Sequence, residues 1–320
     1  MPNYQGVWSL TTQMQNVSDW PVALPASIGF FLGGYVSSAQ VNTIQYINLT
    51  SSGNAIDFGD LTETVRLNSS LGSATRVLRG SGYDGSSRPV TIDFITVSTL
   101  GNATDFGDLS SGRSQLAGLS NSTRGLFAGG SGAAIINTID YVTIASEGNS
   151  SDFGDMTTTR SQLAGFASTT RGVMGGGIEG SGYQPINIID YVTIGSTGNA
   201  TDFGDLIAVR AELSGCASAT RGLFAGGDQS GSTVNIIGYI TIASTGNETD
   251  FGDLSAARDY LGACSSSTKG VFGGGAESSG DVNTIEEVTI ASTGNATDFG
   301  DLLAANSQLS GASNSHGGIA

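Results

Sequence analysis

The side chains in this 320-residue chain that could do chemistry are few and unevenly spread. There is one imidazole, His316, and there are two thiols, Cys216 and Cys264. A single histidine excludes a His-rich zinc or copper centre. No Ser and Asp break the surrounding pattern beside it, so no Ser–His–Asp constellation is readable. Carboxylates are abundant instead: 28 Asp and Glu against 12 Lys and Arg, for a net charge of −16. Many stand in the phrase "DFGD", as at 152–155 and 202–205. Such a pair could act as acid and base, or ligate calcium with loop carbonyls. One reaction needs one site, however, and this phrase occurs six times with its aromatic at Phe58, Phe106, Phe153, Phe203, Phe251 and Phe299. Its flanks also lack the dense Asp/Asn alternation of a calcium loop. The expectation is a scaffold role, with no catalytic residues, no metal and no cofactor.

The charge excludes partners as well. An acidic chain repels phosphate backbones, so no nucleic-acid binding is expected. No apolar run approaches the length that spans a bilayer. The opening "MPNYQGVWSL" has no basic flank before an apolar stretch, so no secretory signal is expected. The sequons at Asn102, Asn199, Asn247 and Asn295 read as Gly-Asn turn chemistry, with Asn tolerating a left-handed backbone. Cys216 and Cys264 hold equivalent places in neighbouring copies and read as two small buried residues; a disulfide between them stays open.

The elements that carry these residues repeat. Successive "DFGD" aromatics are 48, 47, 50, 48 and 48 residues apart. Twelve residues before each lies Tyr46, Phe94, Tyr141, Tyr191, Tyr239 or, as the exception, Glu287. Trp8 and Trp20 share that spacing and mark a diverged N-terminal copy. A second phrase fills the gaps, for example "RSQLAGLSNSTRGLFAGG" at 113–130, and a truncated version, "NSQLSGASNSHGGIA", occupies 306–320. Short runs of Val, Ile, Thr, Tyr and Phe bounded by Gly, Asn, Asp and Ser read as strands. Each unit offers four: a ("SQLAGF"), b ("RGVFGGG"), c ("DYVTIA") and d ("DFGDL"). Four strands per unit of about 48 residues, repeated, match the blade of a β-propeller. Seven c–d and seven a–b phrases predict an all-β, seven-bladed propeller filling residues 1–320 as one domain. Its last blade is expected to join N-terminal strands c and d to C-terminal strands a and b, which removes the open edges.

Ten of the twelve basic residues fall at two repeat positions, the start of strand a and the start of strand b. Asp108, Asp155, Asp205 and Asp253 each lie five residues before Arg113, Arg160, Arg210 and Arg258. Arg–carboxylate pairs among these, or Arg bonds to backbone carbonyls, are expected to brace each blade.

Paired glycines after a hydrophobic strand, then Tyr and a large aromatic at intervals of about twelve, resemble the Kelch repeat. Gly129, Gly130, Tyr141 and Phe153 carry this in one unit, and Gly226, Gly227, Tyr239 and Phe251 in another. Phe replaces the usual Trp except at Trp20. The wording of the units, "YVTIASTGNATDFGDL" followed by "TRGVFGGG", also resembles repeat-rich propeller proteins of bacteriophages that infect aquatic bacteria. That resemblance implies a non-enzymatic virion protein in a tail fibre, tail appendage or capsid decoration. Its partners would be other virion proteins and a host-surface glycan or protein. A Kelch-like adaptor and a glycan-active enzyme are the rival readings; the second lacks a catalytic constellation. The c–d loops are nearly identical, whereas the b–c loops differ. Loops released from the template are where specificity sits. Tyr83, Arg88, Tyr183, Gln184, Asp228 and Gln229 on that face are therefore the expected contacts.

Overall fold

A computed structural model describes residues 24–180 and 184–319. Among them there is no α-helix. The strands form small antiparallel sheets whose members follow the a–b–c–d order of the repeat. The first sheet comprises Ser69–Gly72, Arg76–Gly80, Thr91–Thr96 and Thr104–Asp108. The second comprises Ala117–Ser120, Arg124–Ala128, Thr138–Thr143 and Ser151–Asp155. The third has Ala164–Ala167, Arg171–Gly175, Ile188–Thr193 and Thr201–Asp205. The fourth has Ser214–Ala217, Arg221–Ala225, Ile236–Thr241 and Thr249–Asp253. The fifth has Gly262–Ser265, Lys269–Gly273, Thr284–Thr289 and Thr297–Asp301. Short extra pairings, such as Ala276–Glu277 with Gly280–Asp281, lie in the b–c loops.

The sixth sheet is assembled from both halves of the chain. Strand a is Ser310–Ser313, and strands b, c and d are Ile28–Leu32, Ala39–Asn48 and Ile56–Val65. Phe30 pairs with Ala312 on one side and Tyr46 on the other. The expected join is thus corrected, and the expected count of seven is not confirmed by the described residues. They make six such sheets, and the C-terminal segment supplies strand a alone. The reason is local. "IGFFLGG" is a strand-b phrase with a full hydrophobic run, and the described residues just before it, "LPAS", do not form a strand a. Its open edge takes the one strand a that lacks a strand b. The Trp8–Trp20 copy lies outside the described residues.

A ring of backbone bonds links the six units. Gln115 N–H donates to Leu67 O, Gln162 to Gln115, Glu212 to Gln162, Tyr260 to Glu212, Gln308 to Tyr260 and Leu67 to Gln308, at 2.8–3.0 Å. The last bond returns to the first residue, so the cycle closes at six. All six residues have φ between 52° and 61°. This left-handed backbone costs a non-glycine residue about 1 kcal/mol or more, and persists only where surroundings over-determine it.

Burial falls from strand b outward. Strand b of the second sheet is buried along four of its five residues, whereas strand d begins with two exposed residues. The core is six clusters, each shared by adjacent sheets. In one, Leu119, Leu126 and Phe153 of the second sheet meet Met174, Val192 and Ile194 of the third. Across five of the six seams, the strand-a side chain projects to a place where the next strand b has glycine. A Cβ on Gly172 would strike Leu119, one on Gly222 would strike Phe166, and one on Gly270 would lie 2.9 Å from Cys216 Sγ. At the sixth seam Ala312 and Val77 share a cluster, the small residue now on strand a. Both cysteines are free and buried, in keeping with the packing role expected of them.

This reciprocity of size is testable. Gly222→Val alone overpacks the seam and should cost about 1–3 kcal/mol. Adding Phe166→Ala recreates the Ala312–Val77 arrangement and should recover at least about 0.5 kcal/mol in a double-mutant cycle read by urea unfolding.

Candidate functional site

The recurring phrase works at the seams between sheets. In "DFGD" the aromatic is a bulge residue: Ile139 pairs with Gly154 and Asp140 with Asp152, leaving Phe153 unpaired. The bulge turns Phe153 inward, edge-on to Tyr141 with ring centroids 6.0 Å apart. Gly154 has φ 145°, and a Cβ there would lie 2.5 Å from the carbonyl oxygen of Gly198 in the next sheet. That loop returns two bonds. Gly198 N–H donates to Phe153 O at 2.8 Å, and Asn199 Oδ1 accepts from Asp155 N–H at 3.0 Å. The same Asn–Asp bond occurs in all six units, from Asp60–Asn102 round to Asp301–Asn54. The Asn residues are not left-handed, contrary to the turn reading; they reach across and fasten the neighbouring sheet.

The bracing arginines are buried, but their acceptors are not Asp108, Asp155, Asp205 and Asp253. Arg113 pairs with Asp140 at 3.0 Å, Arg160 with Asp190 at 2.5 Å, Arg210 with Glu248 at 2.6 Å, and Arg258 with Glu286. The "DFGD" acids sit on the outermost strand, and the strand-c acid is the carboxylate that faces inward. Each strand-c acid also takes a backbone N–H from the preceding unit, as Asp140 does from Ser110 and Asp190 from Thr157. The pair therefore ties two sheets. Burial works against the charge on Arg113, Arg160 and Arg258, and the facing carboxylate works to keep it.

Three units depart from this pattern, each by a matched exchange. The fourth has Gly238 in place of the strand-c acid, and Glu248 of "GNETD" fills the vacated space and binds Arg210. The first has Val65 at the arginine position, and Arg79 reaches Asp93 from strand b instead. The sixth replaces both ions with amides: Gln45 accepts from Leu303 N–H at 2.9 Å and Asn306 from Tyr35 N–H at 2.8 Å. The second basic position behaves likewise. Arg124 lies 4.7 Å over the Tyr141 ring and donates to Ile194 O of the next sheet at 2.8 Å. Where Glu287 replaces the aromatic, Lys269 replaces arginine and pairs with it at 2.5 Å.

The variable b–c loops share a face with the axial ring. Tyr83 and Arg88 are engaged with the protein itself: the Arg66 and Arg88 guanidiniums lie 5.4 and 5.7 Å from the Tyr83 ring centroid, and Arg88 Nε donates to Ser114 Oγ of the next unit at 3.1 Å. Tyr183 lies outside the described residues. Gln184 and Asp228 do come together, lining a cavity of about 310 Å³ with Gln162, Ile178, Pro185 and Glu212. Gln229 is exposed beside it, its N–H bonded to Ser232 O at 2.8 Å.

Sequence reasoning missed three residues here. Glu212 accepts a hydrogen bond from the Tyr260 hydroxyl. Burial, reinforced by Asp259 and Asp228, pushes the Glu212 carboxyl up to about 7 against the pull of that bond. Burial and the same Asp228 push Asp259 up to about 6. The signal was legible: "RAELSG" and "RDYLGA" break the "RSQLAG" template at these positions. Residues beyond the last strand fold back against strands a of other sheets, with Gly317 N–H donating to Ala217 O at 2.9 Å. His316 Nδ1 accepts from Gly318 N–H at 3.0 Å, which leaves Nε2 to donate to Gly72 O at 2.9 Å. Burial lowers the pKa of this imidazole.

No known protein family and no curated protein matches the chain.

Two outcomes are expected. Glu248→Ala should cost about 3–5 kcal/mol by stranding a buried guanidinium, and Gly238→Asp added to it should restore most of that loss in chemical unfolding. Glu212 binds its proton more tightly folded than unfolded, so its contribution is full in acid and is lost as pH rises through about 7. Glu212→Gln should therefore flatten the fall in stability between about pH 5 and pH 8, by about 1–3 kcal/mol.

Proposed function

We propose that the six sheets are the blades of a Kelch-like β-propeller, and that the protein is a non-enzymatic structural and attachment component of a bacteriophage virion. It would sit on the tail or capsid exterior, held by other virion proteins. The b–c face would meet a host-surface glycan or protein. One observation carries the non-enzymatic reading: the recurring charged residues at the seams are engaged in joining sheets. Arg113, Arg160, Arg210 and Arg258 each pair with a buried carboxylate. The Asn–Asp bonds recur in every unit. Six equal copies suit masonry and do not suit a single reaction centre. The virion placement is supported by the resemblance of the unit wording to phage repeat proteins. The contact face is supported by the divergence of the b–c loops and by the cavity that Gln184 and Asp228 share.

Immunogold electron microscopy of purified particles tests the placement. Label at a fixed point on the tail or capsid is the expected result, and particles that lack the chain would overturn it. Gln184→Ala with Gln229→Ala should reduce adsorption to host cells without lowering the thermal midpoint; unchanged adsorption removes the b–c face from the account.

A further inference from the structure

We propose that the cavity between the b–c loops of the third and fourth sheets binds an organic cation, an ammonium or guanidinium group carried by a partner molecule. The cavity, about 310 Å³, is at the small end of ligand sites, which run from about 300 to 1,000 Å³. Its polar lining includes Glu212, Asp228, Gln162 and Gln184, and Ile178 and Pro185 supply an apolar wall. Carboxylate and carboxamide oxygens accept the N–H groups of such a cation, and the wall suits the methylene stem that carries it.

The acids gathered here have no cation: Glu212 accepts from the Tyr260 hydroxyl and Asp228 Oδ1 from Gly231 N–H at 2.8 Å. Glu212 stands where other members of the axial ring are Gln115, Gln162 and Gln308. Asp228 occupies the bridge position held by Ser131 in the second unit, and Asp259 the one held by Ser114. Glu212, Asp228 and Asp259 form no ion pair among the described residues, whereas the five buried arginines each have a carboxylate. Asp259 Oδ1 is buried and accepts no hydrogen bond. Like charges held together without a counter-ion raise each other's pKa, and a bound cation relieves that repulsion. The groups facing Glu212 are Tyr260, Asp259 and Asp228; Asp281 adds to the field at Asp259. All are acidic or neutral, so anions are repelled. A bare divalent ion is a poorer fit, since no three acidic or imidazole groups among the described residues converge as metal ligands.

The proposal deepens the reading of the b–c face as the contact face, and rests on that reading only for the source of the cation. Calorimetric titration of the full chain with agmatine, glucosamine, glucose and glucuronate tests it. Agmatine or glucosamine should bind, and glucose and glucuronate should not. Affinity should fall from pH 8 to pH 5 as Glu212 and Asp259 take up protons. Glu212→Gln and Asp228→Asn should each weaken binding about tenfold, the loss of one charged hydrogen bond. Asp105→Asn, on an outer strand d, should leave it unchanged. Stronger agmatine binding assigns the cation to a protein side chain, and stronger glucosamine binding to an amino sugar. Absence of binding by both cations, equal binding of glucose, or full affinity in Glu212→Gln would each overturn the proposal. If the variants fail to fold, the pH series on the native chain decides. Lack of virion labelling would leave this titration standing, and a failed titration would leave the virion placement standing.

Discussion

The pairing of Ser310–Ser313 with Ile28–Leu32 is the contact on which the rest of the molecule depends. Each sheet has a hydrophobic flank that only its neighbour covers. Phe30, Phe58 and Ile44 are buried against Val77 and Ile95 of the first sheet, and Phe31 and Ile47 against Cys264 and Val271 of the fifth. Without strand a of the sixth sheet, the edge of Ile28–Leu32 would present unpaired backbone groups and both seams would open. Closure also sustains the left-handed residues of the axial ring, because each is held by a bond from one neighbour and to the other.

Recurrence here is a property of interfaces. The units most alike in wording are alike because each must fit the next: a bulge glycine beneath a loop carbonyl, an Asn that accepts from the preceding unit's strand, a strand-a side chain over a strand-b glycine. The exceptions obey the same rule. Glu248 appears with Gly238, Arg79 with Val65, Lys269 with Glu287, and Asn306 with Gln45. A buried guanidinium without its carboxylate is costly, whereas losing both or moving one is tolerable. The interaction constrains the pair more than either residue.

Departures that no ion pair offsets have a different meaning. Glu212, Asp228, Asp259 and Tyr260 break the template and cluster on one sector of the b–c face, next to the cavity that Gln184 and Asp228 line. The rest of the ring is uniform enough to make that sector conspicuous. A cyclic scaffold supplies nearly equivalent positions, and a small number of local changes differentiates one of them.

Much of the fold was legible. The spacing of Tyr141 and Phe153, the paired glycines after "GLF" and the regular arginines gave the strands, their order and their burial, because each is a local rule applied to a short segment. The site was half legible: loop divergence pointed to Gln184 and Asp228, but their cavity also needs Glu212 and Gln162, which come from other connections. Which carboxylate meets Arg113 was not legible either, since Asp108 is nearer along the chain and Asp140 is nearer in space. The sequence by itself determined the unit, an antiparallel four-stranded sheet with a hydrophobic middle and a polar rim. Only the tertiary structure decided how many units close the ring and which strand completes the last. Those depend on the angle at which one sheet meets the next, a sum of small packing terms over every seam, and no single segment encodes it.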